Sequence, residues 1–169
     1  MKPMISTRPL ALALACGLWL FPAACALNSP HDDKTNAKEH SMNFGNFSVS
    51  LAVKDLAKSR EFYEKRDFKQ VGGNPEQNWI ILQNGTTTIG LFQGMFDRNI
   101  MTFNPGWNKE AEELPEFEDV RSLQATLIER GIEPVTKADP ESTGPANFVL
   151  TDPDGNPILV DQHVDRPGS

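Results

Sequence analysis

Asp161 and His163 are the most reactive pair of side chains in this sequence, placed near its end in the run PILVDQH. Residues two apart on a strand leave the same face, so the two side chains point the same way. An imidazole can accept a proton near neutral pH, and a carboxylate beside it can orient it. The pair could therefore serve as a general base and its orienting group. Two other readings stand beside that one: a polar pair that touches a ligand, and a solvated rim at a strand's end. Glu112 is a further candidate acid or base, in the acidic stretch AEELPEF, where a solvated edge carboxylate is the alternative. Cys16 and Cys25 both lie at the extreme N-terminus. The rest of the chain thus offers no disulfide, no thiol nucleophile and no thiolate metal ligand. It contains no phosphate-binding glycine loop and no G-x-S-x-G.

The elements that must position these groups begin with FSVSLAVKDLAKSREFY, Phe47 to Tyr63. Val49, Leu51 and Val53 alternate with Ser48, Ser50 and Ala52. This predicts a strand with one greasy face and one small, mildly polar face. Asp55 is a helix N-cap, and Leu56 to Arg66 is the predicted first helix, with Leu56, Ser59, Phe62 and Tyr63 on one side. Phe68 to Val71 is a short strand, and Gly72-Gly73-Asn74-Pro75 a turn. Trp79 to Gln83 and Thr86 to Gln93 form a hairpin around Asn84-Gly85.

The same order recurs. With Asp55 set against Asp119, VKDLAKSREFYEKRDFKQV lies over FEDVRSLQATLIERGIEPV without a gap. A second hairpin, NFVLTDPDGNPILVDQ, then answers WIILQNGTTTIGLFQ. A self-similar pattern with only two copies predicts a closed pair of modules. By this register Ala111 to Phe117 should open the second half, although Pro115 confines it to an edge or a bulge. Val120 to Arg130 is the second helix, capped by Asp119 and ended by Gly131. Phe148 to Thr151 and Pro157 to His163 are the last hairpin, and 164–169 a tail. The joining segment Gly94 to Lys109 holds Phe96, Phe103 and Trp107. It either drapes over an opening or plugs the seam between halves.

The chain has 169 residues, with Lys+Arg 16 against Asp+Glu 23. One sizeable domain fits that length. The acidic balance argues against nucleic acid as a partner, because phosphate contacts need clustered Lys and Arg. Met1 to Cys25 reads as a signal peptide, with Lys2 and Arg8 before the apolar run LALALACGLWLF. It ends in PAAC, which resembles the lipobox of bacterial lipoproteins and implies lipidation at Cys25. Ordinary cleavage near Ala24 or Ala26 and a retained anchor are the alternatives. The expected location is the cell envelope, on the periplasmic side, as an outer-membrane lipoprotein. Ala26 to Asn46 is polar and is expected to be a flexible linker, with His31 and His40 solvated in it.

Two strand-helix-strand-hairpin halves, V-x-D-L-x-x-S-x-x-F-Y early and D-P-D-G-N-P-I-L-V late, resemble the vicinal oxygen chelate superfamily of glyoxalases, bleomycin resistance proteins and extradiol dioxygenases. The resemblance covers 47–163. It implies an α+β domain of two βαβββ modules, 47–94 and 111–163, whose mixed sheet curves around a central cavity. It also implies four inward metal-ligand positions, which land on Ser48, Gly90, Glu112 and Leu159. Of these only Glu112 could bind a divalent cation, so neither a metal site nor another cofactor is expected. The strand faces supply Ser48, Ser50, Gly90, Phe92, Leu159, Asp161 and His163 as candidate ligand contacts, with Trp79, Phe103 and Trp107 as candidate walls. Such a face suits a small organic ligand. The alternatives are a lyase or dioxygenase whose metal uses unexpected ligands such as Glu112 and His163, and a protein-interaction module whose cavity is filled. Superfamily relatives close their halves within one chain or between two, so a homodimer is one possible arrangement.

Overall fold

The computed structural model describes residues 41–169, and the signal peptide, Cys25 and most of the expected linker lie outside them. Seven strands form one mixed sheet in the order β2-β3-β4-β1-β5-β7-β6. The first half runs β1 (Asn46–Val53), α1 (Leu56–Glu64), β2 (Lys69–Asn74), β3 (Trp79–Asn84) and β4 (Thr87–Gln93). The second runs β5 (Ile100–Asn104), α2 (Val120–Glu129), β6 (Ala146–Thr151) and β7 (Pro157–Gln162).

The halves are related by an approximate twofold. β1 pairs parallel to β4 with Ser50 opposite Gly90, and β5 pairs parallel to β7 with Thr102 opposite Leu159. β1 and β5 run antiparallel at the centre, with Val49 opposite Met101 on the axis. The twofold therefore relates Ser50 to Thr102 and Ser48 to Ile100.

The strand that opens the second half is thus β5, and not Ala111 to Phe117. The gapless register is right from the helices onward and wrong for the opening strand. Between β1 and α1 stand only Lys54 and Asp55, whereas Pro105 to Asp119 stand between β5 and α2. The second departure is a strand that is nearly lost. Residues 132–136 mirror β2, yet they keep only a bridge from Thr136 to Val149 and a bond from Val135 N to the Val149 carbonyl of 2.7 Å. Pro134 has no N–H to give to a ladder.

β2, by contrast, extends through Gly72-Gly73-Asn74, where the sequence predicts a turn. The chain bulges between Gln70 and Gly72, and Gly73 takes φ +88°. A Cβ there would stand 2.5 Å from the Ile80 Cα, so only glycine lets the two strands approach this closely. The turn comes one step later, as the 3-10 helix Pro75–Gln77.

Each helix packs on the face of the sheet away from the cavity. Leu56 lies with Ile80, Leu82, Ile89 and Leu91 in one buried cluster. Val120, Leu123 and Leu127 lie with Phe148, Leu150 and Val160 in the other. Met42 and Phe44 pack against this second cluster, so the domain starts before the expected linker ends. On α1 only Leu56 is fully buried. Phe62 is exposed, with the Arg66 guanidinium 3.6 Å above its ring.

Both helices are fastened by the same device. Asp55 and Asp119 cap their helices by accepting from the Lys58 and Arg121 N–H groups. The final residue of each half's last strand, Gln93 or Gln162, then accepts the N–H of Leu56 (2.7 Å) or Val120 (2.8 Å). Two orphan donors at each helix start are so satisfied.

Candidate functional site

On the concave face of the sheet lies a cavity of about 650 Å³. Its floor is the pair of central strands. Ser50 and Thr102, related by the twofold, share a buried hydrogen bond of 3.0 Å between their hydroxyls. Asn104 donates from Nδ2 to the Asp161 carbonyl at 3.1 Å and so ties β5 to β7. Around these buried, satisfied polar groups the walls are mostly apolar.

One wall is aromatic. Trp79 on β3 and Phe92 on β4 are directly opposed in the ladder, with ring centroids 6.1 Å apart and planes within 4° of parallel. Phe96, just beyond β4, tilts against Phe92 at 5.2 Å. Gly90 makes room for this cluster. A Cβ on it would overlap Phe92 Cε2, so the Phe92 ring rests where a side chain at 90 would stand. Ile81 and Gln83 continue the wall, alternating with the fully buried Ile80 and Leu82 behind it.

The opposite wall carries the charge. His163 Nε2 stands 3.3 Å from Asp161 Oδ2, and the imidazole stacks on Trp107 at 4.4 Å with planes 16° apart. Burial pushes the Asp161 carboxyl above its usual value, while the charge of His163 and a hydrogen bond from the Asn147 side chain pull it back. A buried carboxylate resists ionisation because it has lost water. Since the protonated form is favoured in the folded state, this group stabilises the fold most below its ordinary value of 3.8 and loses that effect as pH rises through the folded value. Asp161→Asn is therefore expected to gain on the wild type at neutral pH and to lose that advantage as pH falls toward 3.8. Urea unfolding of both proteins across that range checks it, and an advantage that grows on acidification overturns it.

The mouth is crossed by the insertion that only the second half carries. Leu114 N bonds the Gly106 carbonyl at 2.8 Å, and Trp107 bridges Glu113, which makes a small hairpin. Asn108 holds its turn by accepting from the N–H groups of Glu110 and Glu112, both at 2.9 Å, and by donating to the Glu112 carboxylate. The tip, Lys109 to Ala111, lines the cavity, and the Lys109 carbonyl accepts from the Gln83 amide on β3.

Of the residues singled out in the sequence, Ser48, Ser50, Trp79, Phe92, Trp107, Leu159, Asp161 and His163 line the cavity, and Gly90 lies beneath Phe92. Two do not belong to it. Phe103 alternates with Thr102 and Asn104, so it faces the other way and packs against Phe44 and Phe47. Glu112 is exposed and turned onto Asn108. Thr102, Asn104, Ile81, Gln83 and Met95 also line the cavity and were not foreseen. Strand alternation from Trp79 would have given Ile81 and Gln83.

The four positions for metal ligands become Ser48, Gly90, Leu159 and, in place of Glu112, Ile100, the twofold mate of Ser48. A divalent cation wants three or four O or N donors. A serine, a glycine, an isoleucine and a leucine do not make that set. Among the described residues no three of His, Cys, Asp and Glu come together.

The sequence matches the model of the Glyoxalase/Bleomycin resistance protein/Dioxygenase superfamily over residues 46–160. No curated protein matches it. Among solved structures, that of an NAD-dependent benzaldehyde dehydrogenase from Legionella pneumophila superposes with TM-score 0.51 at 19% identity, over 69% of this chain and 98% of that one. A glyoxalase/bleomycin resistance protein/dioxygenase superfamily member from Vibrio splendidus 12B01 gives 0.49 at 14% identity, over 69% and 97%. The Mn(II)-bound glyoxalase from Novosphingobium aromaticivorans gives 0.44 at 19%, over 70% of this chain and 38% of that one. Identities this low speak to fold alone. The family match over most of the chain, on a twofold pair of modules around an open cavity, makes this chain a member of the glyoxalase/bleomycin resistance protein/dioxygenase superfamily.

Proposed function

We propose that this domain binds a small organic molecule in its concave cavity, and that it does so without a divalent cation at the superfamily's metal position. The observation that carries this is the open space of about 650 Å³, which Phe92, Trp107 and Leu159 line without filling. Ligand sites of this size are walled by aromatic and aliphatic side chains with a few placed polar groups. The cavity offers that combination, with hydroxyls and amides at its floor and one carboxylate at its side. A protein-interaction module with a filled cavity is the weaker reading for the same reason.

The test is mass spectrometry of small molecules extracted from the purified full chain, run beside metal analysis. The expected result is a co-purifying organic compound, released when Trp79→Ala and Phe92→Ala open the aromatic wall, with divalent metal well below one per chain. A stoichiometric divalent ion lost in Glu112→Ala or His163→Ala would overturn the reading in favour of a metal-dependent lyase or dioxygenase.

The same proposal includes export and a lipid anchor on Cys25, on the strength of the N-terminal run and its PAAC end. Produced in bacteria from its own leader, the mature chain should partition with membranes and carry added acyl mass at Cys25. Cys25→Ser should release it. A soluble mature chain with an unmodified N-terminus would rule the anchor out.

A further inference from the structure

We propose that the ligand is an organic cation, a protonated or quaternary nitrogen on a ring-sized apolar body. This rests on the reading of the cavity as a small-molecule site and names the chemistry it takes. The argument is one of charge and of what surrounds it.

Four ionisable side chains line the cavity. Lys109 and Glu110, at the hairpin tip, pair with each other at 3.2 Å and cancel. Asp161 pairs with His163, and an imidazole offsets a carboxylate only while it is protonated. The half-buried carboxylate of Asp161 is thus the one acidic group of the cavity whose partner is not a permanent cation. Removing it from water makes the carboxylate costly to keep ionised, as the upward pull of burial on its pKa reflects. A cation arriving beside it restores what burial took away.

Everything else in the wall favours the same ligand. Trp79, Phe92 and Phe96 form an aromatic cluster along one side, and Trp107 lies against His163 on the other. Ring faces carry negative quadrupole charge and attract ammonium groups, Trp most strongly. Of the polar side chains on the floor, Ser50 is bonded to Thr102 and Asn104 to the Asp161 carbonyl, while Asn46 and Ser48 are neutral. An anionic ligand would meet no unpaired cation here. The net charge of −7 over the chain would also draw cations toward it.

The test uses three probes of one shape on the full chain, followed by Trp fluorescence and calorimetry. Benzyltrimethylammonium supplies the cation, neopentylbenzene its neutral isostere, and phenylmethanesulfonate the anion. The expected order is cation over neutral by roughly tenfold, as a partly desolvated cation–aromatic and carboxylate contact implies, with the anion weakest. Asp161→Asn should erase most of that preference and leave the neutral probe's affinity unchanged. Neutral binding equal to cationic binding in the wild type overturns the assignment, whatever the variant does, and leaves the small-molecule site standing. Failure of all three probes to bind overturns both.

Discussion

Arg121→Ala is expected to destabilise the domain by about 3–5 kcal/mol, because it strands a buried carboxylate. The guanidinium is 3% exposed and the Asp119 side chain 7%, and they pair at 3.1 Å. Asp119 is also the cap of α2 and accepts from the buried Gln162 amide at 3.1 Å. Arg121 spends its remaining donors on the loop beyond the helix, at the carbonyls of Asp139 and Gly144 and the hydroxyl of Ser142. One side chain thus fixes a helix start and a surface loop together. Lysine, a point charge without the planar fork, should recover only part of the loss. Urea midpoints at unchanged slope measure it. A loss below about 1 kcal/mol, the value of an exposed pair, would show that this cluster does not hold the fold.

Phe148→Ala is expected to cost a similar amount, about 3–5 kcal/mol, by leaving a cavity among packed neighbours. Phe148 is fully buried between β6 and α2, with Val120, Leu123 and Leu127 around it. It sits on the face of the sheet opposite the candidate site. Among molecules that remain folded, affinity for the cationic probe should therefore be unchanged. Trp79→Ala should do the reverse, lowering affinity at little expense in stability, since its ring borders open space. Parallel losses in both properties for both variants would mean that the two faces of the sheet are not independent.

Much of this arrangement is legible in the sequence, and the misreadings have physical causes. Both capped helices, both hairpins and the open face of β1 follow from alternation, caps and turns. The helix register gave no sign of the dozen or so residues that the second half inserts after its first strand, and a gapless comparison passes straight through them. β5 was hidden for that reason, although Ile100, Thr102 and Asn104 alternate with Met101 and Phe103 as a strand should. Once that strand is missed, Phe103 goes to the wrong face and Glu112 to the wrong place. The pairing of Asp161 with His163 was readable from their spacing. The stacking of His163 on Trp107 was not, because it joins residues brought together only by the inserted hairpin.

Gln93 and Gln162 directly follow Phe92 and Asp161, which face each other across the cavity from opposite walls. Each glutamine holds a helix start with its amide, while the residue before it meets the ligand space. Any event at a wall is therefore mechanically adjacent to a helix anchor, twice over. A bound guest should slow amide hydrogen exchange at Leu56 and Val120, far side of the sheet though they are, and those two protons would report occupancy without any label on the guest.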